Sequence, residues 1–350
     1  MSFGVLDRRL LVVVGAGGVG KTTLAAALGI ESARRGANTL VMTFDPSLRL
    51  KDALGVSEHA RERPVQIKAG TPGRLDVALL DAKRTFDHLI ETYAPDEAAA
   101  ERIYGNRFYR DLSGNLAGIL EYMAVERLFE VSRDRTYDRI ILDTPPTRQA
   151  LDFLEAPDRM VHFLDSGATR LALKPWWERG GGIRRMPMRL AAKSVERLLD
   201  RIIGLGLVRE ILEFFRAFGP LYGGFRERAA EVRALLRDPQ TLFLLVSGPG
   251  SDRIPDTLFF ARKLREAGHP LGPLVVNQVH PRVGAEHTVR ASEGLALFRF
   301  LGERDHRGLV ELRGLLGSAD RLAAMPLEPT PPTNLASLGT LGRALLVQLS

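Results

Sequence analysis

The sequence contains no cysteine. That excludes disulfides, thiolate zinc sites, iron–sulfur clusters and a cysteine nucleophile. Lysine is nearly as scarce, with 7 residues against 42 arginines. The chain is still basic, with a net charge of +7 and a pI near 9.9, but the arginines are scattered from Arg8 to Arg343 rather than gathered in a block. A skew of that kind argues for genome composition and against a dedicated nucleic-acid role. Long apolar runs are also missing: none approaches the roughly 18–20 residues needed to span a bilayer. Met1 to Arg9 lacks the basic-then-apolar layout of a signal peptide. Leu341 to Leu349 is too short and too weakly basic for a membrane-targeting helix. The expected location is therefore the cytoplasm, with membrane contact only indirect or transient.

The composition that remains is ordinary for a globular chain, 45% hydrophobic and 26% charged over 350 residues. Such a length can bury a full core as one large α/β domain or a domain with a sizeable insertion.

The most informative stretch is Gly15 to Thr23, GAGGVGKTT, which follows the apolar run Leu10 to Val14 and precedes Leu24 to Leu28. A β-branched run, a glycine-rich turn and a helical pattern in that order form a strand, a loop and a helix start. Gly15, Gly20, Lys21 and Thr22 satisfy the phosphate-loop spacing G-x-x-x-x-G-K-[ST]. At this chain's own residue frequencies, roughly 0.006 such matches are expected by accident. The chemistry needs these residue types, because glycines let successive backbone N–H groups surround an anion at the positive end of a helix. Gly15, Gly17, Gly18, Val19 and Gly20 would form that cradle. Lys21 would pair with the β- and γ-phosphates, Thr22 would offer its hydroxyl to Mg²⁺ and Thr23 would sit near the α-phosphate.

Two further strand ends carry carboxylates. Thr39 to Phe44 runs into Asp45-Pro46, and Tyr137 to Asp143 runs into Thr144-Pro145-Pro146-Thr147. A hydrophobic strand ending in Asp143 is the Walker B arrangement, which sets a carboxylate beside the Mg²⁺ held by Thr22. Leu274-Val275-Val276 leads into Asn277-Gln278. The amide of Asn277 offers both a donor and an acceptor with which to read a base.

These signals predict an α/β fold with a doubly wound, mainly parallel sheet flanked by helices, and a helical insertion. Residues 1–157 would form the N-terminal part of the core, with helical segments at about 82–133. Residues 158–238 would be the insertion and 239–350 the C-terminal part of the core. Within the insertion, Leu198 to Phe218 is apolar on more than one helical face, as in a buried helix or one awaiting a partner. Pro95 to Arg110 is expected to loop, the stretch up to Arg307 has no clear role, and Arg321 to Leu327 is expected to be a last strand.

In this order, the pieces resemble the arsenical-pump ATPase and tail-anchored-protein targeting family. It belongs to the deviant-Walker class that also holds partitioning, cell-division-site and nitrogenase reductase ATPases. The resemblance rests on GGVGKTT at 17–23, TFDPS at 43–47, LDTPPT at 142–147, VVNQV at 275–279 and MPLEP at 325–329. Gly223 to Arg228 also looks like this family's helical insertion. The resemblance implies an ATP- and Mg²⁺-dependent dimer whose facing sites close on nucleotide and assemble a groove for a hydrophobic helical client. It implies that Asp45 orients the attacking water, that Asp143 holds Mg²⁺ through water, and that Asn277 recognises adenine while Pro326 packs on the base.

Three departures qualify it. Ala16 stands where the family carries a signature lysine, the absence of cysteine removes thiolate metalloid chemistry, and Ser47-Leu48-Arg49 replaces the usual small residue, His and Asn. The loss at position 16 raises the alternative of a weak or inactive ATPase paired in a heterodimer with a paralogue that keeps the lysine. A spatial-positioning ATPase is a third reading.

Overall fold

The computed structural model describes residues 4–44, 54–56, 58–61, 63–106, 109, 119–165, 222–283, 293–316 and 321–349. Asp45, the Ser47 to Arg49 stretch and 166–221, the greater part of the expected insertion, lie outside the described residues.

The continuous apolar run of Leu10–Gly15 forms strand β1, and all six of its residues are buried. A strand that reads apolar at every position is covered on both faces. Seven more strands join it: β2 (Thr39–Thr43), β3 (Val65–Ile67), β4 (Leu75–Leu79), β5 (Arg139–Asp143), β6 (Thr241–Ser247), β7 (Leu271–Val279) and β8 (Leu322–Pro326). The sheet order is β3-β4-β2-β5-β1-β6-β7-β8. Every pairing is parallel except β3 with β4. This is the doubly wound α/β architecture expected from sequence. β1 and β2 are parallel, as the first β-α-β unit requires, yet they are not neighbours: β5 lies between them and pairs with both.

The helices among the described residues are α1 (Lys21–Arg34), α2 (Ala82–Tyr93), α3 (Glu97–Gly105), α4 (Ile119–Arg133), α5 (Thr147–Asp165), α6 (Tyr222–Arg237), α7 (Ile254–Glu266), α8 (Glu293–Leu315) and α9 (Leu335–Leu349). None is long and apolar enough to cross a membrane. Twelve of the fourteen residues of α1 are buried, which explains its alanine-rich composition: small side chains let it sit in one apolar cluster with the sheet and α9. Gly342 of α9 makes that approach possible, because a Cβ there would meet the Ala27 carbonyl carbon at 3.0 Å and the Glu31 side chain at 2.7 Å.

Two elements correct the sequence reading. Pro95 to Arg110 is not all loop, since Asp96 accepts the Ala99 N–H at 2.7 Å and starts α3. Pro95 marks the approach to a capped helix here. Residues 293–307, part of a stretch for which the sequence offers no clear role, belong to the 23-residue α8. Two of its glycines, unfavourable for helix in isolation, sit where backbone must come close. A Cβ on Gly302 would collide with the Pro281 carbonyl oxygen, and one on Gly308 with that of Pro249.

The chain divides into two compact units, 1–81, 130–151 and 234–350 in one, and 82–129 with 152–233 in the other. The first holds the entire sheet. The second is helical and has a core of its own, in which the Tyr122 and Phe225 rings stack with centroids 5.5 Å apart. Within it, buried Arg228 donates to buried Glu126 at 2.6 Å, and the Tyr122 hydroxyl donates to the same carboxylate and to the Phe225 carbonyl. Removing one partner of such a pair strands a buried charge, at a cost of about 3–5 kcal/mol.

Candidate functional site

The carboxyl ends of the parallel strands define the site, as they do in doubly wound sheets. Gly15 closes β1 at φ 149°, and a Cβ there would collide with the Val246 carbonyl of the neighbouring strand. The chain then turns through Ala16 to Val19. Gly20 is the N-cap of α1 in the left-handed region, at φ 88°. A Cβ on Gly20 would strike the Asn277 amide. The loop therefore runs against β6 and β7 so closely that only glycine fits at those two points.

Lys21 is the first residue of α1 and is buried. Its ammonium donates to the Ala16 carbonyl at 2.9 Å, so the side chain folds back across the loop it follows. Pro146 of the Thr144 to Thr147 segment stands 3.8 Å from where a Cβ on Gly17 would lie.

Register explains the next contact. β5 pairs with β1 so that Asp143 lies opposite Val13, and with β2 so that Asp143 lies opposite Thr43. The Asp143 carboxylate, fully buried, thus stands between the first turn of α1 and the end of β2. Thr22 donates to its Oδ2 at 2.7 Å, and Thr43 donates to the same oxygen at 2.8 Å. Thr144 pins the following turn, giving both its N–H and its hydroxyl to the Val13 carbonyl. The sequence singled out Thr22 and Asp143. Thr43 was legible only as the first residue of the TFDPS segment, because its partner is 100 residues away and meets it only through strand pairing.

On the other flank, Asn277 is buried near the end of β7 and donates its Nδ2 to the Val19 carbonyl at 2.9 Å. One amide hydrogen is thereby committed to the loop, and the carbonyl oxygen with the second hydrogen remains as hydrogen-bonding capacity. Gln278 follows at φ 62°, left-handed for a residue with a Cβ, where the β7–β8 register shifts between Val276 and Val279. A non-glycine residue is uncommon in that conformation. Nothing in its sequence context signalled that conformation. Thr23, Asn277, Gln278, Pro326 and Leu341 help to line a cavity of about 390 Å³. That volume is in the range of small-molecule sites. The cavity adjoins the phosphate loop at Gly20.

The structure thus brings together Gly15, Gly17, Gly18, Val19, Gly20, Lys21, Thr22, Thr23, Asp143, Asn277 and Pro326 at one sheet edge. The glycine cradle and buried ammonium suit a polyphosphate, and a hydroxyl in contact with a carboxylate is the hard oxygen donor set that Mg²⁺ prefers.

Behind Gln278, His280 donates its backbone N–H to Asp305 Oδ2 at 3.0 Å, and its ring Nδ1 lies 2.7 Å from the same atom. Arg304 donates from Nε and Nη2 to the other oxygen at 3.1 and 2.8 Å. Burial alone would raise the Asp305 pKa. The bonds from His280 and Arg304 outweigh it and hold the carboxyl below its ordinary value. Asp305 is a buried anchor that fixes the exit of β7 to α8, and sequence reasoning missed it with the helix that carries it.

Compared with known proteins, the chain matches the family described as anion-transporting ATPases over residues 8–293. A putative arsenical pump-driving ATPase of Halobacterium salinarum is 30% identical over 183 residues, 49% of this chain and 27% of that protein. One from Aquifex aeolicus is 26% identical over 243 residues, 69% of this chain and 56% of its own length. The ATPase GET3 of Pyricularia oryzae is 32% identical over 159 residues, 44% of this chain and 45% of that protein. The matches thus span from about a quarter to just over half of these relatives' own lengths.

Proposed function

Since the chain belongs to the anion-transporting ATPase family, we propose that it hydrolyses ATP with Mg²⁺ and uses nucleotide state to bind or target a hydrophobic helical protein segment. The observation that carries the nucleotide part is the cluster of Thr22, Asp143 and Thr43 at the foot of the glycine loop, with bonds of 2.7 and 2.8 Å on one carboxylate oxygen.

Each residue then has a definite task. The loop backbone from Gly15 to Gly20 holds the phosphates, and Lys21 exchanges the Ala16 carbonyl for phosphate oxygen, a better partner for a buried ammonium. Thr23, Asn277 and Pro326 border the cavity that takes the base. Mg²⁺, held through Thr22 and through water by Asp143, would neutralise charge on the phosphate oxygens. Asp45, outside the described residues, is the proposed residue for orienting water. Because the switch segments at 43–47 and 142–147 leave the two strands that share Asp143, gain and loss of a γ-phosphate can bias both at once.

The client part of the proposal is supported by the apolar density of Leu198 to Phe218 and by the family resemblance. The working form is a dimer, either of two copies or with a paralogous ATPase that carries a lysine where this chain has Ala16. The experiment is a phosphate-release assay on the full chain with ATP and Mg²⁺, alone and with a hydrophobic helical peptide. We expect Mg²⁺-dependent turnover, loss of at least about a hundredfold on Lys21→Ala, and ATP-dependent protection of the peptide from aggregation. Turnover insensitive to Lys21→Ala would refute the nucleotide assignment, and turnover without peptide protection would refute the client assignment.

A further inference from the structure

A second cavity, of about 260 Å³, opens beside the phosphate loop at Gly17 and Gly18. It shares Gln278 with the larger cavity but is otherwise walled by different residues, among them the turn Gly248-Pro249-Gly250 after β6 and the charged residues Asp252, Arg253 and Arg304. Three observations give it a character. Gly18 has φ 77°, yet among the described residues no atom beyond its chain neighbours lies within 4 Å of where its Cβ would stand. Among the described residues, the space in front of that glycine is left clear.

The charge is also unusual. Arg253 is paired with Asp252 at 3.3 Å, a carboxylate 76% exposed and therefore well screened by water. Arg304 is held by two of its three nitrogens on fully buried Asp305, which leaves the third for another partner on a side chain 43% exposed. Asp305 also receives His280, so its negative charge is shared among several donors. The result is a cavity bordering the glycine loop whose wall holds two arginines, Arg304 fixed on Asp305 and Arg253 paired with the exposed Asp252. Position 16 of that loop is an alanine and brings no charge of its own.

We infer that this cavity is an oxyanion site of the nucleotide machinery, in which Arg253 and Arg304 provide the positive charge that Ala16 does not. The inference rests on the nucleotide reading above and extends it to residues with no assigned role. Its ligand is a phosphoryl oxyanion, which planar guanidinium groups recognise through paired N–H donors. Two sources share that chemistry: the terminal phosphate of a bound triphosphate, and inorganic phosphate.

Calorimetric titrations of the full chain separate them. Wild type, Arg253→Gln and Arg304→Gln are each titrated with ADP, with a non-hydrolysable ATP analogue, and with inorganic phosphate at saturating ADP, all at one ionic strength. The expected result is ADP affinity within about twofold of wild type in both variants, with a loss of roughly tenfold or more for the triphosphate or for phosphate. Weakening of the triphosphate assigns the site to the terminal phosphate, and weakening confined to inorganic phosphate assigns it to the free ion. Either result supports an oxyanion site. Unchanged binding of all three ligands overturns the inference, and so does an equal loss of ADP and triphosphate, which would mark a structural role. Should Arg304→Gln fail to fold because Asp305 loses a partner, Arg253→Gln decides alone, since it leaves that cluster intact. If wild type binds neither ADP nor the analogue, the nucleotide reading itself falls and takes the inference with it, before any variant is compared.

Discussion

Gly20 shows how much one residue can constrain this site. Its φ of 88° is unfavourable for any side chain, and the Asn277 amide occupies the place of a Cβ. Gly18 has a similar φ of 77° but, among the described residues, nothing within 4 Å of its Cβ position. The two differ in a testable way. Gly20→Ala must both strain the backbone, at about 1–3 kcal/mol, and displace the Asn277 side chain from the Val19 carbonyl. We expect it to lower the melting temperature and weaken nucleotide binding by at least about tenfold. Gly18→Ala should show only the backbone cost in stability. Parallel melting curves check this, and equal destabilisation by the two variants would mean that the Asn277 contact does not hold the loop.

Residues of this loop are legible in the sequence because a cradle for phosphate has a fixed local spacing. Asn277 was legible for a similar reason, as an amide at the end of an apolar strand. Thr43 and Gln278 were not. The first acquires its role by strand register with Asp143, and the second by a left-handed turn that no turn-forming residue announces.

At the scale of elements, strands were easier to read than helices. Continuous Val, Leu and Ile runs such as Leu10 to Val14 can only be buried strands or buried helices, and their flanks decide between these. What could not be read was the insertion of β5 between β1 and β2, because strand order is a tertiary property. α3 hid behind Pro95, and α8 behind two glycines whose absent side chains serve neighbours distant in sequence.

The docking of α8 carries its own pH dependence. Asp305 has a pKa below its ordinary value in the folded chain. The stability it contributes is therefore present above the unfolded value of about 3.9 and is lost as pH falls through the lower folded value. Melting temperatures of wild type and Asp305→Asn, measured from pH 7 down to pH 3, should differ most near neutrality and converge at the acid end. A constant difference across that range would mean that the carboxylate charge is not what holds α8 to the end of β7.

For the whole molecule, the central question is whether nucleotide bound by the sheet-containing unit is felt by the helical one. The two units have separate cores. One is built on the sheet and α1, and the other on the Tyr122–Phe225 stack and the buried Arg228–Glu126 pair. Direct binding stabilises what it touches, by about 2.7 kcal/mol at a ligand concentration a hundred times the dissociation constant. Coupling to a second unit is a separate quantity, typically about 1–3 kcal/mol. Hydrogen exchange with and without Mg²⁺ and a non-hydrolysable ATP analogue measures both. Slowed exchange at residues 15–34, 139–143 and 271–279 is expected from binding alone. The client-handling proposal requires more: exchange at 119–129 and 222–233, in the helical unit, must also change, by roughly 5–150-fold if the coupling has its usual size. Response confined to the first unit would leave an ATP-binding protein whose nucleotide has no means of acting on a client. A response in both would give the switch its physical basis, because only a state difference transmitted to the helical unit can alter what that unit binds.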